Sequence, residues 1–388
     1  MKKELGQFFT NNPILKNYVL NLCKNKDDPK KTFLEPSAGA GDLLDLFSNK
    51  ITAIELDKTI NNKSKKEIIN QDFLHYDLEN KFDTVFGNPP YLKYNKDWIM
   101  ETNYPSCNMY VYFIEKALKH LNNNGEIIFI VPREFLNNTR IGKFREHLLK
   151  FGSITNIIDF QEHKMFEDSH PHIIILRYQK DLLDHKTCYE FYDDSTYACK
   201  NIIYNQIYYF FPKIPEHVLS DYFSIKVGLV SGANSIFEYN GINDSDTIDI
   251  ICSDYYKTKT KKKYYLTQNP EHPVLKNHKD YLLNRKIREF DQHNWYEWGA
   301  PRNIFFMKQL KGNECIYVNC KTRSKLPFYK DKVDYFDGSV LCLFPKENLN
   351  LDHYVDLLNN ANFLFKLQGL LVGTRYAFSQ KTLTNFRF

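Results

Sequence analysis

The chain has 388 residues, 43% hydrophobic and 26% charged, a composition that allows a sizeable core, for which disorder is not the default, and that leaves room for two domains of ordinary size. No apolar run approaches the ~20 residues of a membrane-spanning helix, and Met1-Lys2-Lys3 runs into Glu4, Gln7 and Asn11 instead of a secretory apolar stretch. The formal net charge of +5 permits a polyanionic partner without demanding one, and the eight scattered Cys suit reduced thiols in a cytoplasm-like compartment.

In chain order, Pro13 to Leu22 reads as a helix, with Asn12 as N-cap and Pro13 at the first helical position. Thr32 to Glu35 is a strand running into Pro36-Ser37-Ala38-Gly39-Ala40-Gly41, followed by a short helix (Asp42 to Phe47) and the strand Ile51 to Glu55. Phe82 to Phe86 is a strand that delivers Gly87-Asn88-Pro89-Pro90-Tyr91. Met109 to Leu121 has helical spacing, Glu126 to Val131 is a buried strand, and Phe135 to Leu149 is helical. Ile154 to Phe160 and Ile173 to Tyr178 close the pattern as strands, the last following a loop and so a candidate antiparallel strand. This alternation predicts an α/β domain with a doubly wound, mostly parallel sheet. Pro212 and Pro215 break the chain, and beyond them short runs rich in Tyr, Asn and Lys predict a second, mixed α/β domain. The domain expectation is therefore 1–215 and 216–388.

Parallel strands present their carboxyl ends to ligands. There the small residues Ser37, Ala38, Gly39 and Gly41 let the backbone approach a ligand, although Leu44 stands where a third glycine of a dinucleotide fingerprint would be. Glu55 ends the next strand, where a carboxylate can accept both ribose hydroxyls; Asp72 can accept from an adenine amino group, and Phe73 can cover the ring. Together they predict a nucleoside-bearing cofactor, NAD or S-adenosylmethionine.

The segment Asn88-Pro89-Pro90-Tyr91 narrows the chemistry. An aromatic exocyclic amine is a poor nucleophile because its lone pair is delocalised. The Asn88 side-chain carbonyl and the Pro89 main-chain carbonyl can each accept one N–H, pulling the nitrogen toward tetrahedral geometry for attack on a sulfonium-bound methyl. Fixed acceptors where charge develops are the main stabilisation in such sites, and Pro89 and Pro90 stiffen the loop. Tyr91 is placed to stack on the target base.

In the order of these motifs the chain resembles the gamma-class amino-methyltransferases typified by the TaqI DNA adenine methyltransferase. Gly6-Gln7-Phe8-Phe9-Thr10 matches the family's N-terminal cofactor motif; Glu35 to Gly41, Glu55, Asp72-Phe73 and Asn88 to Tyr91 match the next four, and Asn108 through Leu118 resembles the helix after them. Met165-Phe166 ahead of the strand Ile173 to Tyr178 resembles the motif whose Phe packs against a flipped base. Lys226 to Asn234 and Gly373 to Ala377 resemble parts of the recognition domain. The resemblance implies a Rossmann-like S-adenosylmethionine-dependent methyltransferase domain followed by a target-recognition domain. It implies cofactor binding by Gln7, Phe9, Thr10, Glu35, Pro36, Ser37, Ala38, Gly39, Gly41, Glu55, Asp72, Phe73 and Asn88, and catalysis through Asn88, Pro89, Pro90, Tyr91 and Phe166.

The implied reaction is methylation of adenine N6 in a specific sequence of double-stranded DNA, by a monomer, in a restriction-modification or DNA-marking role with a possible cognate endonuclease. Because the amine sits inside the duplex, the nucleotide must be flipped out. N4-cytosine, RNA adenine and protein glutamine methylation stay open as alternatives; Asn in place of Ser before the prolines favours adenine, and the long segment after the catalytic motifs favours DNA. Three basic runs, Lys257 to Lys263, Arg285 to Arg288 and Lys321 to Lys325, are candidates for phosphate contacts. His163, His170 and His172 are not assigned a metal.

Overall fold

The computed structural model describes residues 10–76, 79–92, 104, 108–167, 170–192, 194–204, 207–239, 241, 246–266 and 269–388. They form two compact units, Met1–Ile214 and Pro215–Phe388.

The first unit is built on a ten-stranded sheet. Its strands are β1 (Thr32–Glu35), β2 (Lys50–Glu55), β3 (Ile69–Asn70), β4 (Phe82–Gly87), β5 (Leu121–Pro132), β6 (Gly152–Asp159), β7 (Ile173–Lys180), β8 (Lys186–Phe191), β9 (Thr196–Tyr204) and β10 (Ile207–Phe211), in the order β10-β9-β8-β6-β7-β5-β4-β1-β2-β3. Strands β3, β2, β1, β4 and β5 are mutually parallel, and β7 runs antiparallel to both β5 and β6. Strand order reverses at β1, so the carboxyl ends of β1 and β4 flank the crevice where ligands of such sheets bind. Phe33, Val85 and Ile128 are fully buried, as central strands covered on both faces require.

Helix α1 (Pro13–Leu22) begins as its sequence dictates: the Asn12 side chain accepts from the Ile14 N–H at 2.9 Å. Two expected helices are shorter than their periodicity suggests. Asp42 to Phe47 holds only a 3₁₀ turn, Leu44–Leu46. Phe135 to Leu149 divides into two 3₁₀ turns and α3 (Gly142–Phe151), because Asn138 Oδ1 takes the Arg140 N–H at 3.0 Å in a local turn that competes with the helix. The buried Arg145 holds that break by donating to the carbonyls of Phe135 (2.8 Å) and Asn138 (3.0 Å). Helix α2 (Met109–Lys119) ends just before β5. No helix lies between β2 and β3; that segment is polar and closes on itself through Asp57 and Asn62 side-chain turns.

The second unit centres on a four-stranded antiparallel sheet. Its strands are β11 (Phe223–Val227), β15 (Glu314–Asn319), β17 (Phe328–Lys332) and β18 (Val340–Pro345); β12 (Glu238–Tyr239), β13 (Thr247–Ile250) and β14 (Lys262–Tyr265) form a second sheet, and β16 (Lys321–Thr322), β19 (Leu371–Val372) and β20 (Arg375–Ala377) a third. Both faces of the central sheet are buried. Cys315, Tyr317, Cys342 and Phe344 pack with Trp295, Trp298 and Phe336 on one side, and Ile316, Val318, Leu341 and Leu343 with Phe328, Phe365 and Phe386 on the other. Among the described residues no helix is long and apolar enough to cross a membrane.

Candidate active site

The parallel strands bring Glu35, Glu55 and Gly87 to one edge of the sheet. The turn after β1 is fixed by its neighbours: Ala38 N–H donates to the Ile54 carbonyl at 2.9 Å and Gly39 N–H to Glu55 Oε2 at 2.7 Å. Gly39 and Gly41 adopt φ of 53° and 81°, and a Cβ on Gly41 would stand 2.7 Å from the Ser64 Cβ, so glycine is required there on two counts. Glu55, the expected ribose acceptor, braces the turn, since its other oxygen takes the Asp57 N–H at 2.9 Å. Burial raises its pKa above the usual carboxylate value.

Glu35 is 2% exposed, and its Oε2 has no hydrogen-bond partner; nor does the buried Ser37 hydroxyl. Burial first, then the nearby carboxylates of Asp42 and Glu55, push the Glu35 pKa well above the ordinary range. Its side chain lies against Gly87, where an added Cβ would come within 3.5 Å of Glu35 Cγ. Buried polar groups are normally satisfied. An orphaned carboxylate and hydroxyl flanking a tight glycine turn therefore fit a ligand that brings its own donors and positive charge. Pro36 and Ala38 are buried in the same turn.

Asp72 follows β3, with one oxygen accepting the Leu74 N–H at 3.0 Å and the other paired with His75 Nδ1 at 2.5 Å. Phe73 is 2% exposed, packed 5.1 Å from Phe113 of α2 with the Lys116 ammonium 5.2 Å from its ring centroid. It is thus a core aromatic in this state, not a lid open to solvent.

Asn88 is held on two sides. Its Nδ2 donates to Thr10 Oγ1 at 3.2 Å, and its Oδ1 accepts from the Tyr91 hydroxyl at 2.7 Å. That hydroxyl is also 3.1 Å from the Ile130 carbonyl at the end of the neighbouring strand β5. Burial, with Tyr110 nearby, pushes its pKa well above the usual phenol value. Pro89 is buried and Pro90 half-buried. Tyr91 and Phe166 (5% exposed) belong to one apolar cluster with Ile130, Phe160 and Met165, so sequence positions far apart meet in one cluster.

The Thr10 end of the N-terminal motif is brought to the same place: Asn12 Nδ2 donates to the Met165 carbonyl at 3.1 Å and Asn11 Nδ2 to Glu167 at 3.1 Å. Gln7 and Phe9 lie outside the described residues. Sequence reasoning missed the buried network around Asp159, which lies in the chain between Ile158 and Phe160 of this cluster. Arg133 Nε and the Tyr189 hydroxyl donate to Asp159 Oδ2 at 2.8 and 2.6 Å, and the Gln161 N–H to Oδ1 at 3.0 Å. The signal available was a charged residue at the end of each of two apolar strands, Arg133 just after β5 and Asp159 as the last residue of β6. Asn108, ahead of α2, has its Oδ1 buried without a partner. His170 Nε2 pairs with the Glu162 carbonyl at 2.6 Å, and its ring lies 6.2 Å from that of His172.

Parts of this chain have counterparts in known proteins. Residues 14–166 match the model of the Eco57I restriction-modification methylase family. The chain is 28% identical to the type II methyltransferase M.HindII of Haemophilus influenzae, over all of this chain and 90% of that one. It is 29% identical to M.HincII of the same species, over all of this chain and 89% of that one. Among solved structures, the type IIL restriction-modification enzyme MmeI in complex with DNA shares the fold with a TM-score of 0.62 and 12% identity, over 96% of this chain and 64% of that one.

Proposed function

We propose that this restriction-modification-type methyltransferase methylates the N6 amino group of adenine in a specific sequence of duplex DNA, after the nucleotide has left the helix. The observation that carries the reading is Asn88 at the carboxyl end of β4, its amide gripped by Thr10 and its carbonyl directed to Tyr91. S-adenosylmethionine is the cofactor, and when bound it supplies an electrophilic methyl group on a sulfonium centre.

The protein's own residues do the rest. Gly39, Gly41 and Ser37 form the turn that receives the cofactor, with Glu35 beneath it to meet positive charge. Glu55 and Asp72 stand at the next two strand ends as acceptors for hydroxyl and amino groups. The Asn88 carbonyl accepts an N–H of the target amine, localising its lone pair, with the Pro89 carbonyl as second acceptor. For this the Tyr91 hydroxyl must give up its bond to Asn88 Oδ1, an exchange of one hydrogen bond for another that costs little. Tyr91 and Phe166 then hold the base by stacking, at roughly 1–3 kcal/mol per contact. The unit 215–388 serves as the target-recognition domain, and the enzyme acts as a monomer, with a cognate endonuclease able to share its site.

The test uses labelled S-adenosylmethionine and unmethylated duplex DNA, with nucleoside analysis by mass spectrometry. N6-methyladenine is expected, falling roughly 100- to 1,000-fold in Asn88→Ala while cofactor affinity changes only a few-fold. N4-methylcytosine, or label found in RNA or protein and not in DNA, overturns the assignment.

A further inference from the structure

The three basic runs of the second unit have different fates in the fold. Within the first, Lys259 pairs with Asp331 (3.3 Å), Lys262 with Glu238 (3.0 Å) and Lys263 with Asp249 (3.3 Å), while Lys261 bonds Asp334. The Lys257 ammonium lies 5.4 Å from the Tyr256 ring centroid. That run is largely neutralised by the unit's own acids. In the second run Arg285 is 6% exposed and donates to the carbonyls of Leu282, Ser231, Trp295 and Glu297, so it ties loops together. Arg288 pairs with Glu297 at 2.6 Å.

The third run differs. Lys321, Lys325 and Arg375 are exposed, and among the described residues none has an acidic partner. Arg323, also exposed, donates to the Thr374 hydroxyl in the turn between β19 and β20. The sequence explains the absence of acids: no Asp or Glu occurs between Glu314 and Asp331, and none after Asp356. The sheet β16-β20-β19 is where these two acid-free stretches meet.

Its register sorts the side chains. In β20, Tyr376 is buried while Arg375 and Ala377 are exposed. Lys321 stands opposite Ala377, and Val372 opposite Arg375; residues directly opposite share a face. Lys321 and Arg375 therefore project together on the outward side, separated by small or short side chains. The inward side, Leu371 and Tyr376, is anchored in the cluster of Phe328, Phe365 and Phe386. Leu326, 66% exposed, adjoins Lys325. A sheet face that presents Lys321 and Arg375, neither with an acidic partner among the described residues, suits phosphates better than a run already paired with carboxylates.

We propose that the outward face of β16-β20-β19, carrying Lys321 and Arg375, together with the exposed Arg323 and Lys325 of the segment that follows β16, grips the sugar–phosphate backbone of duplex DNA, and that the Lys257 to Lys263 run does not. This rests on the reading of the chain as a DNA methyltransferase.

The test compares two full-length variants that remove the same charge. One is Lys321→Gln/Lys325→Gln/Arg375→Gln; the other is Lys259→Gln/Lys262→Gln/Lys263→Gln. Binding of a fluorescent random-sequence duplex is followed by anisotropy over a salt series. The first variant is expected to bind roughly 10- to 100-fold more weakly at low salt and to flatten the slope of log K against log salt by about 2–3, at ~0.9 per lost phosphate contact. The second should stay within a few-fold of wild type with its slope kept. Cofactor affinity and unfolding midpoint, measured on both, exclude misfolding. Equal weakening of both variants, or a larger effect in the second, overturns the assignment of the face while DNA binding by the wild type upholds the broader reading. A wild-type protein with no salt-dependent affinity for duplex DNA overturns both.

Discussion

Two buried glutamates in the same sheet are treated in opposite ways. Glu126, 1% exposed near the amino end of the parallel strands, is fully partnered: Arg177 Nε meets one oxygen at 2.6 Å, while Thr84 Oγ1 and the Lys24 N–H donate to the other at 3.0 Å each. Glu35, 2% exposed at the carboxyl end, faces the carboxylates of Asp42 and Glu55 and keeps an oxygen with no partner. A satisfied ion pair locks α1 and the strands together at one end. At the other end a buried carboxyl oxygen is left without a partner, as the proposed site for a positively charged cofactor requires.

Breaking the satisfied end should have the largest effect. Arg177→Ala leaves Glu126 buried without its counter-ion and is expected to lower stability by about 3–5 kcal/mol, read as a drop in the urea midpoint. A loss below about 1 kcal/mol would mean that the pair is no more than a surface-like contact, and the contrast would collapse.

The reverse is expected at the other end. Glu35→Gln removes a charge that the fold disfavours, so the variant should gain stability, on the order of 1 kcal/mol near neutral pH, while binding S-adenosylmethionine more weakly. The sign follows from linkage. Because the folded pKa of Glu35 is raised above its ordinary 4.5, wild-type stability from this group is intact below that value and declines as pH rises toward the folded pKa. The difference between variant and wild type should therefore be small in acid, widen above pH 4.5 and level off once Glu35 is ionised. Glu55, raised in the same direction, remains in both proteins and cancels. A variant less stable than wild type at every pH would show that Glu35 is structurally partnered after all.

Cofactor binding sharpens the same point. A cationic ligand over Glu35 favours the ionised carboxylate, so binding should release protons, seen as a dependence of the calorimetric binding heat on the buffer's ionisation enthalpy. No dependence in wild type, or an equal one in Glu35→Gln, would remove Glu35 from the cofactor site.

The smallest effect concerns Thr10. Thr10→Val deletes the acceptor for Asn88 Nδ2, one hydrogen bond of roughly 0.5–1.5 kcal/mol. We expect a several-fold fall in kcat with KM for the cofactor little changed, and recovery in Thr10→Ser. A fall in cofactor affinity alone would make Thr10 a binding residue instead of a positioning one.

Local chemistry made much of the first unit legible. Asn12-Pro13 starts a helix because a side-chain acceptor and a fixed φ suit that position whatever surrounds them. The glycine turn and Asn88 to Tyr91 were placed correctly at strand ends because short apolar runs bounded by turn residues have few alternative structures. The strands β8 to β10 were not read at all. β8 and β9 mix polar with apolar residues, β10 is a five-residue apolar run with no alternation, and an edge extension depends on the sheet already present. The second unit was legible only as mixed, since its central strands, buried on both faces, lose the alternation that marks a half-buried strand.

By itself the sequence determined helix α1, the strands β1, β2, β4 to β7 and the residues at the strand ends of the first unit, because these depend on neighbours along the chain. The tertiary structure alone decided which charges are available. Composition cannot tell a lysine facing an aspartate across a sheet from one facing solvent, nor a glutamate held by an arginine from one left waiting. Coulomb energy depends on distance in space, and Lys259 and Asp331 are 3.3 Å apart there while widely separated in the chain.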